Sequence, residues 1–61
     1  MHIEVIVDGV SFTSDTMIGV LGLANRFIAE SRQAGKPVSS GTIHSSGALV
    51  FVLKNEYWVK P

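Results

Sequence analysis

The segment Pro37–Leu49, PVSSGTIHSSGAL, combines residue types that could do chemistry. Two Ser-Ser-Gly triplets flank His44, and such a set could supply a nucleophile with its base. A serine nucleophile also needs an orienting acid and an oxyanion site, and His44 and Ser45 would point to opposite faces of a strand. The sequence has no Gly-x-Ser-x-Gly elbow. We therefore predict no catalytic residues and no enzymatic activity.

The same segment could also hold phosphate, but its spacing does not fit. In GKPVSSG the second glycine lies on the wrong side of the lysine, and Pro37 occupies the position where a phosphate-binding loop has serine or threonine. We therefore predict no bound cofactor. The serine hydroxyls are better suited to loops, where they satisfy nearby backbone groups.

The second triplet sets the register of a hairpin. Ser45-Ser46-Gly47 predicts a three-residue loop with Gly47 in the left-handed position of a bulge. In that register His44 opposes Ala48, whereas a two-residue loop would move Ile43 to the other face. The three-residue register gives the purer apolar face, which consists of Ile43, Leu49, Phe51, Leu53 and Trp58.

His2, Glu4 and His44 are a second set with possible chemistry. Two imidazoles and a carboxylate could bind zinc if their strands were neighbours. The sequence does not establish that adjacency, and His2 lies close to the chain terminus. We interpret both histidines as surface residues and predict no metal site.

The elements that position these residues begin with a β-hairpin over residues 2–14. Asp8-Gly9 is a favoured two-residue turn, because both of its positions need positive φ. The turn places Val7 opposite Val10 and Val5 opposite Phe12. The inward face then consists of Ile3, Val5, Val7, Val10 and Phe12.

A helix is predicted to follow from about Ser14 to Ala34. Thr13 can cap its start, and Asp15 would lie in the first turn, where the helix dipole favours an acid. Phe12 and Met17 have the spacing of a hydrophobic staple around that cap.

The predicted end and the buried side of this helix follow from glycine, proline and periodicity. Gly35 supplies a left-handed position after the last turn, and Pro37 blocks continuation. A broad apolar stripe recurs at helical spacing. It consists of Met17, Val20, Leu21, Leu23, Ala24, Phe27 and Ile28.

Three strands complete the chain, with the sequences GTIH, ALVFVLK and YWVK. The order β-β-α-β-β-β predicts a single small α+β domain over residues 1–61, with one helix packed on one face of a mostly antiparallel sheet. The order of strands within the sheet is left open. This outline resembles some tiny phage-encoded inhibitors, including certain anti-CRISPR proteins, and the resemblance implies a chain that acts by binding.

Length and charge limit the function classes further. The chain has 61 residues, no cysteine and a formal net charge of zero. A domain of this size buries only about 60% of the surface of its unfolded chain, which favours oligomerisation or binding to a partner. Balanced charge disfavours nucleic acid, whose binding depends on basic clusters. The N-terminus does not resemble a signal peptide and the apolar runs are short, so we expect a cytoplasmic protein that binds no membrane.

Two surfaces are candidates for binding a partner. The sheet face away from the helix is expected to be unusually apolar, and its candidate residues are Glu4, Ile6, His44, Val50, Val52, Tyr57 and Val59. The outer helix side carries small or apolar residues together with a base, and its candidates are Ile18, Gly22 and Arg26. Gly19, Asn25 and Ala29 are expected on the same side.

These surfaces predict a non-enzymatic protein-binding module that acts as an inhibitor or adaptor and self-associates as a homodimer. The alternative is a small nucleic-acid-binding or nucleotide-sequestering domain. Its candidate contacts are Lys54, Tyr57, Trp58 and Lys60, which could stack on bases and neutralise phosphates. Strand alternation separates Tyr57 from Trp58, and this disfavours the alternative.

Overall fold

The computed structural model describes residues 2–61, which form a five-stranded antiparallel sheet with one helix on one face. The strand order is β2-β1-β3-β4-β5, so β1 lies between its hairpin partner and β3. This architecture confirms the predicted α+β class. The elements are β1 Ile3–Val7, β2 Val10–Ser14, α1 Met17–Gln33, β3 Gly41–Ser45, β4 Ala48–Lys54 and β5 Tyr57–Val59.

Each hairpin within residues 2–61 closes through a two-residue turn in which both residues have positive φ. The φ angles are 48° and 83° at Asp8-Gly9, 51° and 82° at Ser46-Gly47, and 52° and 68° at Asn55-Glu56. Such turns have the twist that right-handed strands require. The first turn confirms the predicted hairpin, with Val7 opposite Val10 and Val5 opposite Phe12.

The predicted three-residue loop between β3 and β4 is wrong. Ser45 pairs with Ala48 and His44 pairs with Leu49, so Ser46 and Gly47 alone form the turn. The register then shifts within β4, because Ile43 pairs with Phe51 and leaves Val50 as the extra residue of a bulge. The bulge places Phe51 on the same face as Ile43. That placement was predicted, but from a three-residue loop instead of a two-residue turn followed by a bulge.

The shifted register overturns two side-chain placements. Leu49 pairs with His44 and therefore lies on the face away from the helix, where it is 43% exposed. Val50 was expected on that outer face, but it is half-buried and packs against the core cluster. The two-residue turn causes the first difference, because it pairs Leu49 with His44, and the bulge at Val50 causes the second.

The helix begins later than predicted. Ser14 still pairs with Ile3 in the sheet, and Thr16 has the extended backbone of an N-cap. Its Oγ1 accepts a hydrogen bond from the Gly19 backbone nitrogen, 3.1 Å away. Thr13 is therefore not the cap, and Asp15 precedes the first turn instead of lying in it. The staple expected from Phe12 and Met17 is lost with that cap.

The helix end agrees with the sequence prediction. Gly35 has a φ of 78°, and its backbone nitrogen donates to the Arg32 carbonyl. The Lys36 nitrogen donates to the Ser31 carbonyl at 2.9 Å. These two bonds form a Schellman motif, in which the left-handed glycine satisfies carbonyls that the helix leaves free.

The core lies between α1 and the strands β1 and β3. It consists of Ile3, Val5, Val7, Val20, Ala24, Ile28 and Ile43. Two residues predicted to be inward lie at its margin instead, since Val10 is 41% exposed and Leu23 is 46% exposed. Leu23 lies one turn before Phe27, whose ring packs on Phe12 of β2 with centroids 5.6 Å apart. Val10 belongs to β2 and Leu23 lies on the same side of α1 as Phe27, so both exposed residues lie toward the β2 edge, beyond which the described residues supply no further strand.

Side chains from the last hairpin tie it to the helix. Trp58 Nε1 donates to Oδ1 of Asn25 at 3.2 Å. Arg32 Nη2 lies 2.8 Å from a carboxylate oxygen of Glu56 in the β4–β5 turn. These two contacts connect α1 to the β4–β5 end of the sheet. The helix itself packs on β1 and β2.

Candidate interaction surface

The sheet face away from α1, called the open face below, is uncovered by any other element of residues 2–61. Strand register defines its cross-strand rows, because paired residues share a face. The first row is Ser11, Ile6, Thr42, Val52 and Val59. The second is Thr13, Glu4, His44 and Leu49, and the third is Lys54 and Tyr57.

The predicted open-face residues lie on this face with one exception. The register places Glu4, Ile6, His44, Val52, Tyr57 and Val59 there, whereas Val50 packs toward the core. Leu49 takes the place of Val50 on the open face. The sequence alone could not locate Leu49 there, since neither the turn length nor the bulge was apparent from it.

The apolar side chains of the open face differ in accessibility. Tyr57 is 73% exposed, Leu49 43% and Val59 37%, while Ile6 and Val52 are half-buried by their neighbours in the sheet. Ile6 and Val52 flank Thr42 in the first row and Val59 follows. The first row is therefore mostly apolar. The solvent-facing side of an antiparallel sheet ordinarily carries polar residues.

The two charged residues of the open-face rows, Glu4 and Lys54, lie on different strands. Glu4 is on β1, where its Oε2 accepts a 2.8 Å hydrogen bond from the Ser11 hydroxyl. Lys54 is at the end of β4, opposite Tyr57. The uncharged first row runs across the sheet between these two positions. A complementary surface would therefore be apolar in the middle, with a base near Glu4 and an acid near Lys54.

His44 occupies the second row between Glu4 and Leu49. Its Nδ1 is enclosed and has no hydrogen-bond partner within residues 2–61. His2 precedes β1 and is exposed. No group of three His, Cys, Asp or Glu side chains is arranged to hold a metal ion in the part of the chain that the structure describes.

The Ser39-Ser40 pair of the first triplet does bind an anion, and that anion is the carboxylate of Asp8. Asp8 Oδ1 accepts from both serine backbone nitrogens at 3.0 Å and from the Ser39 hydroxyl at 3.1 Å. These bonds hold the pKa of Asp8 below its ordinary value, and the bond from the Ser39 backbone nitrogen has the largest effect. The site is occupied by the protein itself and is not free for phosphate.

This Asp8 contact joins the β1–β2 turn to the segment entering β3. The Asp8 backbone nitrogen also donates to the Ser40 carbonyl at 3.1 Å. Sequence reasoning missed the contact, because Asp8 and Ser39 are 31 positions apart. Only the adjacency of β1 and β3 brings the two segments together.

The outer helix side is more fragmented than predicted. Ile18 is 85% exposed, and Gly22 has open space where a Cβ would stand. Arg26 forms an exposed pair with Glu30, with 3.5 Å between Nε and Oε2. Gly19 is half-buried, and Asn25 is exposed but its side-chain oxygen is engaged within the fold. A Cβ at Gly19 would lie 2.5 Å from the Ser14 hydroxyl, and Asn25 holds Trp58.

The aromatic and basic residues of the last hairpin divide between the two faces. Tyr57 and Lys54 are paired on the open face. Trp58 pairs with Leu53 on the face of α1 and packs against the core. On the open face this hairpin therefore offers one aromatic ring beside one lysine. Binding of single-stranded nucleic acid uses several aromatic rings along a positively charged groove, so this arrangement disfavours it.

Across residues 2–61 the structure encloses no pocket, and no helix has both the length and the apolar character needed to cross a membrane. The described residues present an uncovered sheet face with a mostly apolar first row, and β2 is an edge strand of that sheet. Comparison of the chain with protein-family models, curated proteins and solved structures gave no match.

Proposed function

We propose that this chain is a non-enzymatic protein-binding module that acts in the cytoplasm as an inhibitor or adaptor. The observation that supports the proposal is the open face, where Leu49, Val52, Tyr57 and Val59 lie together without a covering layer. Contiguous exposed apolar surface on a small protein marks an interaction site. A domain of this size buries little apolar surface by itself, so binding a partner would add to its stability.

The partner that fits this face is a protein with an apolar surface bordered by opposite charges. The central row is uncharged, so an apolar contact there leaves no buried charge unpaired. Glu4 and Lys54 would then select a base and an acid at the periphery, where charge mainly sets specificity and association rate. Tyr57, the most exposed aromatic of this face, is the expected anchor, since tyrosines often dominate binding energy.

The test compares proteins retained from the source cells by the immobilised chain and by three variants. Tyr57→Ala and Val52→Glu alter the open face. Gln33→Glu is the matched control, because it adds a charge at the exposed end of α1. We expect a protein retained by the original chain and by Gln33→Glu, with retention reduced about tenfold or more by Tyr57→Ala, which corresponds to ~1.4 kcal/mol.

Two outcomes would overturn the proposal. One is retention of the same proteins by all four chains, which would remove the role of the open face. The other is a gel mobility shift with nucleic acid at low salt that is lost in Lys54→Ala, which would favour the nucleic-acid alternative. Tyr57→Ala keeps the test decisive if Val52→Glu does not fold, since Tyr57 is mostly exposed.

A further inference from the structure

The strand β2 is an edge of the sheet that lacks the features by which proteins protect their edges. It spans five residues, VSFTS, with no charge and no proline, and it pairs with β1 without a bulge. The opposite edge differs, because β5 has only three residues and is followed by Lys60 and Pro61. Short length, lysine and proline discourage pairing with another strand. The two edges are thus unequal, and β2 is the one open to pairing.

The backbone groups that β2 presents can be identified from its register. Val7 and Val10 flank a two-residue turn and therefore form a hydrogen-bonded pair. Alternation then makes Val5 and Phe12 the next hydrogen-bonded pair. The N–H and C=O groups of Ser11 and Thr13 must consequently point away from β1, toward the outside of the sheet.

These outward groups are complementary to a second copy of the same strand. If two β2 strands pair antiparallel about a two-fold axis at Phe12, Ser11 of one copy opposes Thr13 of the other. Each such pair exchanges two hydrogen bonds, so all outward groups of Ser11 and Thr13 are satisfied. The two Phe12 residues then form the non-hydrogen-bonded pair, in which side chains approach closely.

The helix is positioned to support the same pairing. It packs on β1 and β2, and adjacent strands are about 4.8 Å apart. A helix centred between β1 and β2 would lie ~5 Å from the two-fold axis, so the two helices would be ~10 Å apart, close to the 8–10 Å of packed helices. On this side Val10 and Leu23 are exposed and Phe12 and Phe27 are half-buried, and these are the residues that would meet there.

We infer that the chain forms a symmetric homodimer through antiparallel pairing of β2 with β2, in which Leu23 and Phe27 of the two helices also pack together. The inference goes beyond the proposed function, because it concerns self-association and uses a surface separate from the open face. The dimer would join two five-stranded sheets into one continuous sheet. Both open faces would remain free.

The experiment is sedimentation equilibrium of the full chain over micromolar concentrations. We expect twice the monomer mass for the original chain. Thr13→Pro removes an outward donor and leaves the pairing with β1 intact, and Leu23→Glu places a charge at the helix contact. Each is expected to raise the dimer dissociation constant about tenfold or more, while its circular dichroism spectrum stays that of the original fold.

Gln33→Glu is the control, since it adds the same charge at an exposed position on another side of α1 that belongs to neither candidate surface. It should leave the dissociation constant unchanged. A monomer at all concentrations would overturn the inference. So would a dimer that is insensitive to Thr13→Pro and Leu23→Glu but is broken by Val52→Glu, which would place self-association on the open face. Loss of partner retention in Tyr57→Ala, with the dimer intact, separates the two proposals.

Discussion

Trp58 lies directly against Gly41: a Cβ on residue 41 would stand 3.0 Å from Cη2 of the indole and 3.0 Å from Cβ of Leu53. The absent side chain leaves the space through which the ring reaches across the inner face toward Asn25. Gly41 is buried and belongs to β3. The glycine that ends the first Ser-Ser-Gly triplet is thus explained by packing.

Gly41→Ala should therefore destabilise the fold. The added methyl group must displace Leu53 or the indole, and overpacking of this kind costs about 1–3 kcal/mol. Urea unfolding followed by Trp58 fluorescence measures the change. An unfolding midpoint equal to that of the original chain would contradict the packing explanation.

Gly22→Ala should have the opposite effect. A Cβ at residue 22 meets no atom within 4 Å, and glycine inside a helix costs about 1 kcal/mol relative to alanine. We expect a gain of that order in the free energy of unfolding, measured by the same urea titration. A loss of stability would show that Gly22 has a structural role that its open surroundings do not reveal.

Thr16→Val should cost about 1 kcal/mol, because it removes the hydroxyl that caps α1 while keeping the side-chain shape. Thr13→Val is the matched control, since Thr13 is exposed and lies in β2 before the cap. Its effect should stay within about 0.5 kcal/mol. Equal losses in the two variants, measured by thermal unfolding, would contradict the assignment of Thr16 as the cap.

Asp8→Asn should change how stability depends on pH. The pKa of Asp8 is lowered in the folded state from an ordinary value of 3.8, so the unfolded chain binds the proton more readily. The resulting stabilisation is fully present above that ordinary value and is lost as pH falls through the lowered pKa. Asparagine tolerates the positive φ of the turn, so the substitution removes the charge and keeps the geometry.

Urea titrations between pH 2 and 7 would measure this effect in the original chain and in Asp8→Asn. The difference in unfolding free energy should grow with pH through the acid range and then level off. The other carboxylates are common to both proteins and cancel in the comparison. Parallel stability curves would show that the contact with Ser39 and Ser40 does not favour the ionised form.

The parts of the fold that follow from local sequence were predictable. Asp8-Gly9 defined the first hairpin and Gly35 the helix end, because each position requires a conformation that few residue types adopt. The turn at Ser46-Gly47 was not predictable in the same way. Serine rarely takes positive φ, and nothing in the local sequence indicates the compensating bulge at Val50.

The misplaced helix start has a non-local cause. Thr13 and Thr16 are both competent caps, and the choice between them depends on Ser14, which pairs with Ile3 and extends β2. The contact of Asp8 with Ser39 likewise depends on β1 lying beside β3. Strand order cannot be read from periodicity. Contacts that depend on strand order, such as that of Asp8 with Ser39, were therefore not predicted.

The strand order also implies where the barrier to folding lies. In residues 2–61 every neighbouring strand pair except β1–β3 is a hairpin between consecutive strands. Such hairpins close within about 1–10 μs, whereas β1 and β3 must be brought together across the whole of α1. The entropic cost of closing that long loop is incurred before Ile43 of β3 can be buried in the core beside Val5 of β1. The rate-limiting step of folding is therefore expected to be the docking of a β3–β4–β5 unit onto a β1–β2–α1 unit.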